Sequence, residues 1–290
     1  MEANIKASNV SSSKMLSPLR YPGGKTWFVP RFVNWMSSRK KRPTLFVEPF
    51  AGGASLSCAV LDRNLADHIL LVEKDERISS LWKVIFSDHA HLLAEAILEY
   101  NLTEENVKIV LSDDKPNDSI KDALYTLVRN RISRGGIMAP GAGILKHGEA
   151  GRGLHSRWYP TTLSNRILYL SQFKKRVTIS NGDAIEHMES EADNKSAVFL
   201  IDPPYSETGK AAGRRLYTHW QLDHEMLFKV TQELTGDFLM TYHVSEEIKA
   251  MAHSHGFEYE AIPMKNTHHA VMSELVIGRD LSWLRSSLFI

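Results

Sequence analysis

Apolar positions along the chain follow two rhythms. Short runs at Leu45-Phe46-Val47, Ile69 to Val72, Val177 to Ser180, Ala197 to Ile201, Phe238 to Tyr242 and Leu275 to Ile277 have the length of strands. Several lack the polar alternation of a half-exposed sheet, which predicts burial on both faces. Between them the spacing becomes helical. It does so at Leu56, Ala59 and Val60, from Ile78 to Tyr100, over Ala123, Leu124, Leu127 and Val128 behind an N-cap region at Asp118-Ser119, from Ser164 to Phe173, and from Asp223 to Leu234. The order strand, Gly-rich turn, helix, strand opens a doubly wound parallel sheet. Residues 1–15 are rich in Ser, Asn and Lys without periodicity and predict a flexible tail.

Composition narrows the class without naming it. The 290 residues are 43% hydrophobic and 24% charged, which fits a globular chain and excludes collagen, coiled coil and wholesale disorder. No apolar run reaches the roughly 18 residues of a membrane span, and no signal-peptide core stands at the N-terminus. The single cysteine, Cys58, allows neither an intramolecular disulfide nor a thiolate zinc site, so a reducing, cytoplasmic location is expected. The pair His268-His269 has no third ligand at helical spacing, and no metal is expected. Net charge is only +1, but it is unevenly spread. From Arg129 to Arg176 ten basic residues face one acid, Glu149, a local +9 that leaves −8 on the remainder. Residues 135–153 within this stretch hold seven of the 17 glycines. Such asymmetry predicts an anionic partner bound by one part of the molecule.

Three motifs carry candidate chemistry. Asp202-Pro203-Pro204-Tyr205 directly follows the apolar run Ala197 to Ile201. Two prolines stop strand pairing, so the tip projects at the carboxyl edge of the sheet, where open α/β folds bind ligands. A carboxylate, a fixed carbonyl and an aromatic face suit a planar heterocycle bearing an amino group. The bland alternative is a Pro-Pro turn that merely ends a strand. Glu48-Pro49-Phe50-Ala51-Gly52-Gly53-Ala54, with Glu73 ending the next strand, reads as a backbone cradle followed by an acid for ribose hydroxyls. It lacks the G-x-G-x-x-G of a dinucleotide site, and a tight turn with no ligand is its plainer reading. Tyr21-Pro22-Gly23-Gly24-Lys25-Thr26 hints at a phosphate loop, but Leu19 stands where a Walker motif needs glycine and no strand precedes it. An NTPase is rejected.

Taken together, these motifs in this order resemble the Dam-like (D12 class) DNA adenine-N6 methyltransferases, from about Leu19 to Ile277. The family's Pro-Phe-x-Gly-x-Gly loop is met here with Ala54 in place of its last glycine, a single added methyl that should be tolerated. The resemblance implies a Rossmann-like, S-adenosylmethionine-dependent methyltransferase sheet, class α/β, with an inserted, mainly helical DNA-recognition domain. Residues 16–79 and 177–290 would form the catalytic domain and 80–176 the insert. It implies Asp202, Pro203, Pro204 and Tyr205 as catalytic residues. Tyr21, Lys25, Phe50, Gly52, Glu73, Asp183 and Asp202 would bind the cofactor, with Glu73 on the ribose and Asp183, in Asn181-Gly182-Asp183, on the adenine amino group. Arg129, Arg131, Arg134, Lys174, Lys175 and Arg176 would grip double-stranded DNA. The expected reaction moves a methyl group to adenine N6 in a specific duplex sequence, by base flipping, in a bacterial or phage-infected cell. A cognate restriction endonuclease is an admissible partner. The competing readings are an amino methyltransferase of the same fold acting on cytosine N4, RNA or a protein amide, and a catalytically silent DNA-binding module.

Overall fold

The computed structural model describes residues 14–112, 115–148, 151–204, 216–219, 221–265 and 271–286. Five parallel strands lie at its centre: β1 (Leu45–Glu48), β2 (His68–Glu73), β3 (Val177–Asn181), β4 (Ala197–Ile201) and β5 (Asp237–His243). Two more strands, β6 (Glu258–Lys265) and β7 (Val271–Gly278), pair antiparallel with each other, and β7 pairs antiparallel with β5. The order across the described sheet is β3-β2-β1-β4-β5-β7-β6. The chain leaves β1 toward β3 in one direction and toward β6 in the other, so β1 and β4 flank a topological switch point.

Strand periodicity splits the apolar runs between two cores. Phe46, Ile69, Leu71, Val198, Leu200 and Val276 face one side. Val47, Phe199, Ile201, Met240, Tyr242, Leu275 and Ile277 face the other. Both layers are buried, which is why β1, β2, β4 and β5 read as apolar runs. The second face is covered by α8 (Ala184–Ser190), α9 (His224–Glu233) and α10 (Glu246–Ser254) through Met188, Leu227, Phe228, Ile248 and Ala252.

The first face carries α1 (Val29–Ser37), α2 (Ser55–Asp62) and α3 (Glu76–Ile85), and its core continues into α4 (Ala90–Glu99), α5 (Glu104–Leu111), α6 (Ser119–Ile132) and α7 (Pro160–Ser171). A short α11 (Ser282–Ser286) stacks Trp283 on Trp35 of α1 at 6.0 Å. The helix expected from Ile78 to Tyr100 is two helices. The break falls at Phe86–His89, where Ser87 Oγ donates to the Val84 carbonyl and accepts from the His89 amide. Position 80, expected as the start of the insert, lies inside α3. Asp118 caps α6 by accepting from the Lys121 amide at 2.7 Å. Lys14, at the end of the expected tail, pairs with Asp62 at 2.9 Å and lies over the Tyr169 ring. No helix among the described residues is long and apolar enough to cross a membrane.

Ala54, where the family pattern has glycine, sits at φ 44° and ψ 38° before α2 and is 2% exposed. A Cβ in the left-handed region costs on the order of 1–2 kcal/mol. We therefore expect Ala54→Gly to stabilise the fold by at most about 0.5 kcal/mol, since glycine's larger unfolded-state entropy and the lost methyl offset most of the gain. Urea unfolding of both forms checks this; a less stable glycine variant would show that the buried methyl outweighs the strain.

Candidate active site

The carboxyl ends of β1, β2, β3 and β4 converge on one cleft. Its wall holds Tyr21, Phe50, Gly52, Glu73, Asp183, Asp202 and Pro204. Seven residues singled out in distant parts of the sequence thus meet in one place.

Each is held by a specific local device. Gly52 sits at φ 44°, and a Cβ there would lie 2.6 Å from the Tyr21 ring, so only glycine lets that ring close over the loop. The Gly52 amide donates to Glu73 Oε2 at 2.7 Å, and its carbonyl accepts from the Trp82 indole at 2.9 Å. Glu73 also accepts from the Asp75 amide at 2.8 Å through its other oxygen. Burial pushes its carboxyl up to about 7, although the backbone donors pull the other way. Asn181 Nδ2 donates to the Glu73 carbonyl at 2.8 Å and ties the tips of β2 and β3 together. Asp183 caps α8 through the Ile185 amide at 2.9 Å and pairs with Lys74 at 3.0 Å. Partial burial pushes the Asp183 carboxyl up, but Lys74 and the helix amides outweigh it and hold it below the usual range.

Asp202 follows β4 at the far side of the cleft. Its Oδ1 accepts from Thr241 Oγ1 at 2.7 Å and lies 2.9 Å from Lys25 Nζ. Lys25 was expected to touch the cofactor, but it is absent from the cleft wall. It is 3% exposed, and its ammonium turns inward to the Gly23 carbonyl at 2.7 Å, to Asp202, and to Glu274 Oε2 at 3.5 Å. Burial pulls this ammonium down, yet the two carboxylates more than compensate and leave it raised. Pro203 is buried behind Pro204 and does not line the cleft. Tyr205 lies outside the described residues, as do Glu149, His268 and His269. Glu48 is buried, accepts from Ser57 at the start of α2, and is pushed up to about 8 by burial.

The six basic residues do not gather in one place. Arg134 is exposed in a loop closed by its own amide donating to the Gly143 carbonyl at 2.8 Å and by the bridge Ser133–Ile144. Asn130 fastens this loop to the cleft. It donates to the Arg20 and Gly136 carbonyls at 2.7 and 2.9 Å and accepts from the Arg20 amide at 2.9 Å, beside Tyr21. Gly136, at φ 76°, packs so closely that a Cβ would fall 2.0 Å from the Arg20 carbonyl oxygen. Arg131, by contrast, is 5% exposed and donates to the Pro18 carbonyl; burial and three neighbouring arginines lower it to about 9. It cannot reach a guanine edge. Arg129 donates to the Val110 carbonyl at 2.8 Å from a half-buried position. Lys174, Lys175 and Arg176 precede β3, so they stand at the amino edge of the parallel strands, a strand's length of roughly 16 Å from the cleft. There Lys174 pairs with Asp88, and Arg176 donates to the Ala66 and Asp67 carbonyls.

Sequence reasoning missed Tyr217, Thr218, His219, Gln221 and Leu222, which complete the cleft wall. No motif marks them. It also passed over Glu274 as a member of the closing strand, although a lone acid in an apolar run is itself a signal, because buried charges need partners.

The residues present fit S-adenosylmethionine. Two carboxylates at adjacent strand tips, acceptor groups of the kind a diol and an exocyclic amine need, line the same cleft as an aromatic side chain and a glycine loop that a Cβ would obstruct. Comparison with known proteins agrees. The model of the D12 class N6 adenine-specific DNA methyltransferases matches residues 21–268. No curated protein matches the chain. Similar solved structures include a proposed RNA methyltransferase of Pyrococcus horikoshii (12% identity, 93% of this chain and 92% of that one, TM-score 0.42). An rRNA methyltransferase of Streptomyces viridochromogenes (11%, 92% and 89%, 0.37) and a precorrin-6y C5,15-methyltransferase of Geobacter metallireducens (11%, 85% and 83%, 0.34) are similar at the same level. At these scores the solved structures carry no argument, and the assignment rests on the family match over the same segment that builds the cleft. The chain belongs to the D12 class N6 adenine-specific DNA methyltransferase family, and S-adenosylmethionine is its cofactor.

Proposed function

We propose that the protein methylates the N6 amino group of adenine within a specific double-stranded DNA sequence, on a base turned out of the duplex. The observation that carries this reading is Asp202: a carboxylate held at the tip of β4, in the same cleft as Glu73 and Asp183. Glu73 would hold the ribose hydroxyls of the cofactor and Asp183 its adenine amino group. Bound S-adenosylmethionine supplies an electrophilic methyl group.

The chain's own residues do the rest. The target amine is a weak nucleophile because its lone pair is delocalised into the purine. Asp202 accepts an N–H from it; Pro203, buried and outside the cleft wall, is assigned no contact with the amine. This favours a pyramidal nitrogen with its lone pair exposed, by positioning and electrostatic stabilisation. Once the methyl group has passed from sulfur to nitrogen, with the S–CH3 bond broken and a neutral thioether left as the leaving group, the nitrogen is cationic and sheds one proton to Asp202 or to water. Lys25 and Thr241 both address Oδ1, which fixes the rotation of the carboxylate. Asp202 is part-buried in the cleft wall, and an amine still paired and stacked in a duplex does not present its lone pair there, so the base would leave the stack. Residues 80–176 would supply the DNA reader. Arg134 stands in the exposed loop fastened to Arg20, with Lys146 and Arg152 exposed further along the chain. We assign Lys174, Lys175 and Arg176 no part in it. The reading requires neither a restriction endonuclease nor a given cell compartment.

Transfer of labelled methyl to DNA, followed by digestion to nucleosides and mass spectrometry, tests the proposal. N6-methyladenine is the expected product, and N4-methylcytosine as the main product would overturn the base assignment. In the same assay series, Arg134→Ala should weaken DNA binding and make the salt slope shallower by about 0.9 for a lost phosphate contact. If Lys174→Glu with Lys175→Glu has that effect and Arg134→Ala does not, the DNA lies on the other edge of the sheet.

A further inference from the structure

We propose that Glu274 is a positioning residue for methyl transfer: acting through the Lys25 ammonium, it sets how much negative charge Asp202 presents to the cleft. The inference rests on the functional reading above, since it takes Asp202 to be the group that receives the amine.

The geometry begins with a buried ammonium. Lys25 Nζ has three donors and, among the described residues, meets the Gly23 carbonyl, Asp202 Oδ1 and Glu274 Oε2. At 3% exposure water does little to screen it, so these partners determine where its charge is spent. Asp202 is the nearer carboxylate at 2.9 Å and Glu274 the farther at 3.5 Å. Glu274 itself is 6% exposed, and its Oε2 has no hydrogen-bond partner of good geometry among the described residues. Its hold on Lys25 is therefore a charge contact. Burying a second carboxylate beside one ammonium is costly. Neutralising Asp202 alone would have needed only Lys25. With Glu274 ionised, the ammonium is shared and Asp202 stays a strong acceptor. With Glu274 neutral, the whole positive charge falls on Asp202 and weakens it toward the incoming amine.

The groups around Glu274 decide when this happens. Lys25 reaches it from the N-terminal turn and Asp202 from the tip of β4. His243 is its register partner on β5, and apolar Ile262 is its register partner on β6. Tyr217 faces it from the cleft wall, and Glu48 acts on the same Asp202–Lys25 pair from β1. Burial raises the Glu274 carboxyl and Lys25 pulls it back, leaving it at about 7. The sign follows: the rate of methyl transfer rises as Glu274 loses its proton, between roughly pH 6 and 8. Glu48 is pushed to about 8, so two ionisations touch the pair, and the one belonging to Glu274 is the limb that its substitution removes.

The test is single-turnover methyl transfer to DNA by the full chain across about pH 6–9, with S-adenosylmethionine affinity measured by calorimetry on the same samples. Glu274→Gln should keep cofactor affinity within about twofold, lower the rate about tenfold at pH 8, and flatten the rise seen in the wild type. Glu274→Asp, which keeps the charge, should recover the pH dependence and most of the rate. A Glu274→Gln enzyme with the wild-type rate and the wild-type pH limb overturns the inference. So does one that loses rate, cofactor affinity and melting temperature together, because that pattern marks a purely structural ion pair. A wild type that transfers no methyl to DNA brings down the functional reading and this inference with it.

Discussion

Asp202→Ala is expected to lower single-turnover methyl transfer by at least about a hundredfold while leaving affinity for S-adenosylmethionine largely intact. The separation follows from position. In the proposed reading the cofactor's adenosine end would be served by Glu73 and Asp183 at the tips of β2 and β3, whereas Asp202 lies across the switch point on β4. An ionised carboxylate offers only acceptors, which suits an amine at the moment it becomes positive. The alanine variant also strips Lys25 of its nearer counter-charge, leaving Glu274 at 3.5 Å as its other carboxylate among the described residues. A loss of activity could then reflect a disturbed fold, so Asp202→Asn is the necessary companion. It preserves shape and one acceptor oxygen, and it should also lose most activity, because its amide group brings donors where the amine needs acceptors. Calorimetry and stopped single-turnover assays on both variants decide the matter. Full activity in either would remove Asp202 from the reaction.

The strand tips were legible because chemistry and chain direction coincide there. In a parallel sheet buried on both faces, a polar residue ending an apolar run must lie at the carboxyl edge, so pattern alone pointed to Glu73 and Asp202, whereas Asp183, two residues past the part-exposed β3, came only from the family resemblance. β6 escaped notice for the opposite reason. It is an edge strand, its residues Glu258, Tyr259, Glu260 and Ala261 mix polar with apolar, and Pro263 is tolerated only because one side of the strand needs no partner. The basic stretch misled because a linear charge count cannot tell a surface patch from buried guanidinium groups. Arg131, Arg166 and Arg176 are spent on the carbonyls of Pro18, Ser17, Ala66 and Asp67. Their forked donors brace backbone, with Arg131 and Arg166 fastening the segment that leads into Tyr21. Lys25 stood out by its Gly-Gly-Lys motif, but its buried contacts did not. Its carboxylate partners come from β4 and β7, some 180 and 250 residues away, a juxtaposition that no local motif encodes.

Glu73→Ala is expected to weaken S-adenosylmethionine binding by about 1.5–3 kcal/mol, or roughly ten- to a hundredfold, the usual worth of hydrogen bonds to a charged group. The wild type should show a pH dependence that the variant lacks. Burial, tempered by the Asp75 and Gly52 amides, sets the Glu73 carboxyl at about 7, above its ordinary value. A carboxyl raised in this way favours the folded state when neutral, so its contribution to stability is present below its unfolded value and fades as pH climbs through about 7. Binding has the opposite sign. The ionised carboxylate accepts from both ribose hydroxyls, so affinity should increase with pH through the same interval, by up to about tenfold per unit on the acid side. The cofactor's own α-amino group titrates near 8 and would blur this in the wild type alone. It is common to both proteins, however, and cancels in the difference between the wild type and Glu73→Gln. Calorimetry from about pH 5.5 to 8.5 on that pair should therefore give curves that separate as pH rises through about 7 and run parallel above it, where Glu73 is fully ionised. Curves that run parallel throughout would mean that the ribose is held by some other group, and that Glu73 serves only to brace Gly52.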